Sequence, residues 1–225
     1  MKHFENFLNI LILSILFSCN SSTKLIEQKG WINIKENQYF DEYTRKNNNI
    51  YCGETGCRAK PMEGIDISTF KVLPGSGYAK DKNNVYYPIS ITCDDYTDCG
   101  VCFCDKYVIN NVNTESFRYL KKDYATDGER VFFRGQEIDD CDGENVRVID
   151  GPEYFYFISD NHHVYIHGQL FENADPLTFQ FDSVKQNSSD VGWTIYIMKD
   201  KNYIWEYSPP DSILSIRQNK TKIIK

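Results

Sequence analysis

The sequence predicts an all-β protein in which about five tandem β-hairpin, or meander, repeats stack on one another. The first reason is one pattern that recurs every 33 to 46 residues, a period typical of repeat architectures. The second is the abundance of aromatics, 16 Tyr and 14 Phe, with β-branched residues and polar turns, which favours strands. The third is that no segment keeps an apolar 3.6-residue period over three turns, as an amphipathic helix would.

The repeated pattern begins with an aromatic or aliphatic residue and ends with a β-branched residue that an aromatic follows. The five copies begin at Tyr43, Tyr78, Tyr124, Phe157 and Ile197. Seven residues later they reach their final pairs, Ile50-Tyr51, Val85-Tyr86, Val131-Phe132, Val164-Tyr165 and Ile204-Trp205. The fourth position is Lys46 in the first copy and aspartate in the others, namely Asp81, Asp127, Asp160 and Asp200.

Each copy is predicted to be a strand, a polar turn and a second strand. In the second copy, Asp81, Asn83 and Asn84 are turn residues that bond to their own backbone, and Val85-Tyr86 favours a strand. Alternation along this strand places Val85 on one face and Tyr86 on the other. Because stacked hairpins bury a shared face, we expect rows of β-branched and of aromatic residues through the array. An open array and a small propeller-like assembly both satisfy this pattern.

A connector between copies also recurs, in which an acid or amide stands three residues before a hydroxyl residue that Phe follows. The three instances are Asp66 with Thr69-Phe70, Asn113 with Ser116-Phe117, and Asp175 with Thr178-Phe179. An aspartate at the start of a turn caps backbone N–H groups. We therefore expect a short turn here, with Phe70 and Phe117 filling the core between neighbouring copies.

The stretch Asp81-Lys82-Asn83-Asn84-Val85-Tyr86-Tyr87 resembles the DKNYY family, and Asp200-Lys201-Asn202-Tyr203-Ile204-Trp205 is a second match. The resemblance covers roughly residues 40–207. It implies an exported or envelope protein of bacteria whose activity is unassigned. No catalytic residue is carried over from the family.

Residues 1–18 have the order of a signal peptide, with Lys2 before an apolar run over 7–17 that is too short to span a bilayer. Leu16-Phe17-Ser18-Cys19 resembles the lipobox of bacterial lipoproteins, which implies that Cys19 is lipidated and anchors the chain stably in a membrane. The alternative is a buried N-terminal strand. Residues 19–30 would be a polar tether, 31–207 the repeat domain with a Cys-rich insertion at 88–110, and 208–225 a C-terminal tail. The expected location is the cell envelope, facing the periplasm or the cell surface.

The charge of the chain argues against nucleic acid as a partner. The net charge is −7 and the pI is about 5.2. No basic stripe precedes the final Lys220, Lys222 and Lys225, whereas nucleic-acid binding needs a basic surface.

Seven cysteines follow Cys19, namely Cys52, Cys57, Cys93, Cys99, Cys102, Cys104 and Cys141. In an oxidising envelope we expect structural disulfides, with Cys57–Cys93 as the favoured bridge and one thiol left over. A zinc or iron–sulfur site around Cys99-x-x-Cys102 is a weaker alternative, and redox catalysis by the same motif is another. No metal or cofactor is expected.

Other polar clusters have simpler interpretations than a metal site. His163 and His167 would lie about 13 Å apart along a strand, and His162 and His163 occupy the turn positions of Asn83 and Asn84. Calcium binding is an alternative for two acidic groups, but their spacing is not that of an EF-hand and favours solvated loops. They are Asp94, Asp95, Asp98 and Asp105, and Asp139, Asp140 and Asp142.

The function predicted is non-catalytic binding by a membrane-anchored scaffold. The insertion at 88–110 interrupts the repeat pattern, and loops on a rigid scaffold usually carry recognition. Asp94, Asp95 and Asp98 in it favour a basic protein partner. Two alternatives stay open: an immunity-type lipoprotein that neutralises a toxin, and an envelope hydrolase or redox enzyme, which would need a cleft with convergent polar groups.

Overall fold

The protein is an open stack of five small antiparallel sheets. The computed structural model describes residues 30–53, 55, 59–94, 101–186, 194–208 and 221–222. These residues form nineteen short strands and contain no helix. The predicted all-β class is therefore confirmed.

Each sheet is a meander whose strands follow one another in space as they do in the chain. The first sheet contains β1 (Gln38–Phe40), β2 (Tyr43–Lys46) and β3 (Asn49–Cys52). The second contains β4 (Lys71–Val72), β5 (Ala79–Lys80), β6 (Val85–Asp94) and β7 (Val101–Ile109). The third contains β8 (Arg118–Lys121), β9 (Tyr124–Thr126), β10 (Val131–Phe133) and β11 (Gln136–Glu137). The fourth contains β12 (Arg147–Val148), β13 (Phe157–Ser159), β14 (Val164–Ile166) and β15 (Gln169–Leu170). The fifth contains β16 (Gln180–Gln186), β17 (Thr194–Lys199), β18 (Tyr203–Tyr207) and β19 (Thr221–Lys222).

The five predicted hairpins are strand pairs of these sheets: β2–β3 in the three-stranded first sheet, and the two central strands in each of the other four. In the third sheet, Tyr124 lies opposite Phe133 and Thr126 opposite Val131. The same register recurs in the fourth sheet, where Phe157 lies opposite Ile166. The repeat predicted from the sequence is thus one structural unit used five times.

Both faces of the inner sheets are buried against their neighbours. Val85 packs with Phe132 of the third sheet and with Phe117, just before that sheet. Tyr86 packs on the opposite face with Tyr43 and Ile50 of the first sheet. Val131 likewise shares a cluster with Tyr165, and Val164 with Trp205. The expectation of separate rows is therefore wrong, because the β-branched residue of each copy packs with the aromatic residue of the next copy. Within the described ranges, the clusters of buried residues join consecutive sheets and none joins the first sheet to the fifth. The five sheets therefore form the open array and not the propeller-like assembly.

The aspartate at the fourth position of a copy is a buried hydrogen-bond acceptor. Asp81 is 3% exposed, and its Oδ1 accepts from the N–H groups of Asn83 and Asn84 at 2.7 and 2.8 Å. Its Oδ2 accepts from the N–H of Asp66 and from the hydroxyl of Tyr86, both at 2.7 Å. One carboxylate therefore holds the turn of its own hairpin and the connector that leads into it.

The same contacts recur in the fifth sheet. Oδ1 of Asp200 accepts from the N–H groups of Asn202 and Tyr203, and its Oδ2 accepts from the N–H of Asp175. Where a lysine follows the aspartate, it reaches the connector as well: Lys82 pairs with Asp66, and Lys201 pairs with Asp175. The sequence Asp-Lys-Asn is thus a turn that fastens itself to the preceding connector.

The tyrosine that begins a copy contacts the next copy. Tyr43 donates to the carbonyl of Gly77 at 3.0 Å, and Tyr124 donates to that of Tyr156 at 2.8 Å. Each acceptor is the residue immediately before the next copy begins. Both tyrosines are fully buried, so these bonds lie in the core and run in one direction along the stack.

Candidate functional site

The predicted insertion at 88–110 is a long hairpin formed by β6 and β7. These strands have ten and nine residues, whereas the corresponding β14 and β15 have three and two. Irregular pairing between Tyr86 and Ile91 marks where the hairpin leaves the sheet. Ser90 to Cys93 are exposed. At about 3.3 Å per residue, the part from Ser90 to Asp94 extends about 17 Å beyond the repeat.

Two disulfides hold this hairpin. Cys93 and Cys102 are opposite one another in the ladder, with Cα atoms 4.0 Å apart, and are bonded. Cys52 of β3 is bonded to Cys104 of β7, with Cα atoms 5.6 Å apart. The expected Cys57–Cys93 bridge is wrong, because the strand register gives Cys93 the cross-strand partner Cys102. Cys57 and Cys99, and with Cys99 the proposed Cys-x-x-Cys site, lie outside the described residues.

Cys141 is a free and buried thiol. Burial, and next the charge of Asp160, raises the pKa of Cys141 to about 12. The thiol is therefore protonated at neutral pH and is a poor nucleophile. Its place in the cluster with Tyr124, Ile158 and Tyr165 gives it a packing role.

A cavity of about 520 Å³ opens at the base of the long hairpin, where the first three sheets meet. We call it the hairpin-base groove. Its walls come from strand β6 and four connections: the turn before β2, the loop before β5, the turn between β8 and β9, and the turn between β10 and β11. The lining residues are Asp41, Glu42, Gly75, Ser76, Gly77, Tyr87, Pro88, Ile89, Ile91, Asp123, Arg134 and Gln136.

The polar groups of the groove are held by the backbone and by one another. Oδ2 of Asp41 accepts from the N–H of Ser76 at 3.3 Å and from that of Gly77 at 3.1 Å. Nε of Arg134 donates to Oδ2 of Asp123 at 2.9 Å. These contacts fix two carboxylates and one guanidinium before any ligand arrives.

Tyr87 forms the aromatic wall of the groove. Its ring packs on Tyr78 with centroids 4.8 Å apart. It fits because glycines flank it: an added Cβ would lie 2.9 Å from the ring at Gly77 and 2.7 Å from the Tyr87 Cβ at Gly135. Burial, and next the charge of Asp123, raises the pKa of Tyr87 to about 12. The phenol is therefore neutral at physiological pH.

The acidic residues predicted as binding groups cannot be compared with the structure in full. Asp95 and Asp98 lie outside the described residues, and Asp94 is described only by its backbone, opposite Val101. The carboxylates that the structure does bring together, Asp41, Glu42 and Asp123, were missed. The sequence did contain a signal for two of them. Glu42 and Asp123 each precede the first residue of a copy, and residues at the same position of stacked copies lie on the same side of the stack.

The histidines have separate partners. Nδ1 of His163 lies 3.3 Å from the hydroxyl of Tyr165, and Nε2 of His167 lies 3.1 Å from that of Tyr207. The N–H groups of His162 and His163 donate to Asp160, as those of Asn83 and Asn84 do to Asp81. The interpretation of His162 and His163 as turn residues is therefore confirmed.

The acidic group around Cys141 includes a connector cap. The N–H of Asp142 donates to Asp160, and Asp142 accepts from the N–H of Glu144. Asp142 thus occupies the place that Asp66 and Asp175 have in their connectors. Over the described residues, no three His, Cys, Asp or Glu side chains are grouped so that they could hold a metal ion.

The predicted signal segment 1–18 and Cys19 lie outside the described residues. In the part of the chain that is described, there is no helix with the length and apolar character needed to cross a bilayer.

Comparison with known proteins gives a family and no closer relative. No curated protein and no solved structure matches the chain. The model of the DKNYY family matches twice in tandem, over residues 43–98 and 96–161. Together these matches cover more than half of the chain and include the first three hairpins and the first strand of the fourth. The protein therefore belongs to the DKNYY family.

Proposed function

We propose that this protein is a lipid-anchored binding scaffold of the bacterial cell envelope that holds a protein partner. The order of the first nineteen residues supports the anchor, with an apolar run before Leu16-Phe17-Ser18-Cys19. A short tether would then place the repeat stack at the membrane surface. The two disulfides at the long hairpin agree with an oxidising compartment.

The observation that carries the binding function is the long hairpin with a groove at its base. Inner sheets of the stack use both faces for packing, so recognition needs a feature that departs from the repeat. The hairpin is such a feature, and the disulfides Cys93–Cys102 and Cys52–Cys104 fasten it internally and to the first sheet. A preorganised element of this kind loses little conformational entropy when a partner binds.

The groups in the groove favour binding over catalysis. The carboxylates of Asp41 and Asp123 already accept hydrogen bonds that hold the loop at Ser76–Gly77 and the turn at Arg134. Tyr87 is a neutral phenol. Carboxylates that already accept hydrogen bonds position a ligand well and are less available to take up a proton.

Site-specific photo-crosslinking in intact cells tests the partner. A photoreactive amino acid replaces Ile91, which is 53% exposed on the hairpin, in the full-length chain. The matched control replaces Leu177, which is 70% exposed in the connector before β16. We expect a discrete crosslinked protein from position 91 and not from position 177. Identical products from both positions, or none from position 91, would count against the proposal.

The anchor has a separate test. The Cys19→Ala variant should no longer incorporate a labelled fatty acid and should leave the membrane fraction. The Cys141→Ala variant is the control, because Cys141 is a buried thiol of the fourth unit. Retention of both the label and membrane attachment in Cys19→Ala would refute lipidation at this residue.

A further inference from the structure

The hairpin-base groove combines negative charge with an apolar wall. The carboxylate of Asp41 accepts hydrogen bonds from two backbone N–H groups, and that of Asp123 forms an ion pair with Arg134. The main-chain carbonyl of Glu42 accepts from the N–H of Gly53, but its carboxylate has no hydrogen-bond or ion-pair partner among the described residues. With three carboxylates and one guanidinium in its lining, the groove carries a formal net charge of −2.

The apolar wall belongs to β6. Tyr87, Pro88 and Ile89 are partly buried along this wall, and Ile91 continues it with 53% of its surface exposed. An exposed isoleucine beside an aromatic ring offers a surface for a long aliphatic chain. Lysine and arginine carry such a chain, since their methylene stems pack on apolar surface while the charged head stays polar.

The elongated shape of the groove fits an extended segment of a partner chain. The wall runs along the strand from Tyr87 to Ile91, and successive residues of an extended partner would follow it. A cavity of about 520 Å³ lies within the usual size range of protein ligand sites. The negative charge, the apolar wall and the elongated shape of the groove therefore all favour an extended segment that carries lysine or arginine.

We propose that the hairpin-base groove seats a lysine or arginine side chain from an extended basic segment of a partner protein, with Glu42 as the ionic contact and Ile91 as the apolar contact. This inference rests on the proposed binding function and gives the chemistry of the partner. Asp41 and Asp123 add negative potential around the bound cation, while their own contacts keep the groove open. The partner's stem lies along Tyr87 and Ile89.

The test is binding of a defined peptide to the folded, disulfide-bonded protein. The probe is a dye-labelled ten-residue peptide of alternating lysine and alanine, followed by fluorescence anisotropy at low salt. Loss of one partly buried ion pair should weaken binding about fivefold in Glu42→Gln. Ile91→Ser should also weaken binding. The matched control is Glu172→Gln, which removes one exposed carboxylate outside the groove and so leaves the net charge the same as in Glu42→Gln.

The outcomes separate this inference from the proposed function. Weaker peptide binding by the Glu42→Gln variant, with wild-type binding by the Glu172→Gln variant, would support the proposed contact in the groove. Equal weakening by both would mean that the peptide senses only net charge and would overturn the inference, as would no binding to the wild type. If crosslinking at position 91 still identifies a partner in that case, the binding scaffold stands and only the basic segment is wrong.

Discussion

The hydroxyl of Tyr78 donates to the main-chain carbonyl of Asp123 at 3.0 Å and accepts from the N–H of Gly135 at 3.2 Å. One side chain of the second unit thus satisfies two backbone groups of the third. The bond to Asp123 is the middle member of the series that Tyr43 and Tyr124 continue on either side.

Replacing Tyr78 with phenylalanine should therefore weaken the contact between the second and third units. The ring remains, but the Asp123 carbonyl and the buried Gly135 N–H each lose a partner, which should reduce the free energy of unfolding by about 2 kcal/mol. Urea unfolding measures the change. Tyr51→Phe is the control, because the Tyr51 hydroxyl has no hydrogen bond among the described residues, and it should change stability by less than about 0.5 kcal/mol. Equal effects of the two substitutions would contradict this role.

Removing the buried carboxylate of Asp81 should be more damaging than removing an exposed one. Asp81→Ala leaves the N–H groups of Asn83, Asn84 and Asp66 without their acceptor, which should reduce the free energy of unfolding by about 3 kcal/mol. The control is Asp150→Ala, whose side chain is 95% exposed. Urea unfolding of both variants measures the difference in stability. Similar unfolding midpoints would show that the turn does not depend on the Asp81 carboxylate as an acceptor.

Stability should fall in mildly acidic solution because of His167. Burial, and next the nearby charge of Arg134, lowers the pKa of His167 below its usual 6.5. The unfolded chain therefore binds the proton more readily, so this contribution is complete above pH 6.5 and is lost as the pH falls towards the lowered pKa. Urea midpoints at pH 7.5 and 5.0 should differ less in His167→Asn than in the wild type.

His162→Asn is the control for this pH dependence, because His162 is exposed in the turn of the same unit. It should keep the wild-type difference between the two pH values. Asparagine suits position 167 because the backbone there has a positive φ of 50°, which asparagine tolerates. An unchanged pH dependence in His167→Asn would assign the effect to other groups.

The two disulfides should differ in what they contribute. Cys52–Cys104 spans 52 residues and Cys93–Cys102 spans nine, so in the chain-entropy estimate the first stabilises by about 4 kcal/mol and the second by about 3 kcal/mol. The double variant Cys52→Ala/Cys104→Ala should therefore unfold at a lower urea concentration than Cys93→Ala/Cys102→Ala. The reverse order would show that the hairpin clamp matters more to stability than the link between sheets.

The two disulfides should also differ in how accessible they are to a reductant. Cys93 and Cys102 are exposed, whereas Cys52 is buried, and thiol–disulfide exchange needs access to a sulfur. In a titration with reductant, followed by alkylation and mass mapping, Cys93–Cys102 should be reduced first. Simultaneous reduction of both bonds in the folded protein would contradict this order.

The architecture was predictable because it depends on local patterns. Turn residues such as Asp81 and the alternation of Val85 and Tyr86 act within a few positions, and the spacing of the copies then implies stacking. The disulfide partner of Cys93 was not predicted, because pairing depends on the register of β6 and β7 across a turn. The groove was missed because Glu42, Asp123 and Ile91 come from three units that only the assembled stack brings together.

The one-way bonds of Tyr43 and Tyr124 have an evolutionary consequence. Each unit carries the donor for its successor and offers a carbonyl to its predecessor, so a duplicated gene segment inserted in frame would bring a matching contact at both joints. Chains of this construction can lengthen or shorten by whole modules while the remaining joints stay intact. Phe157, which starts its copy without a hydroxyl, marks one joint where such an exchange would bring no bond of this kind.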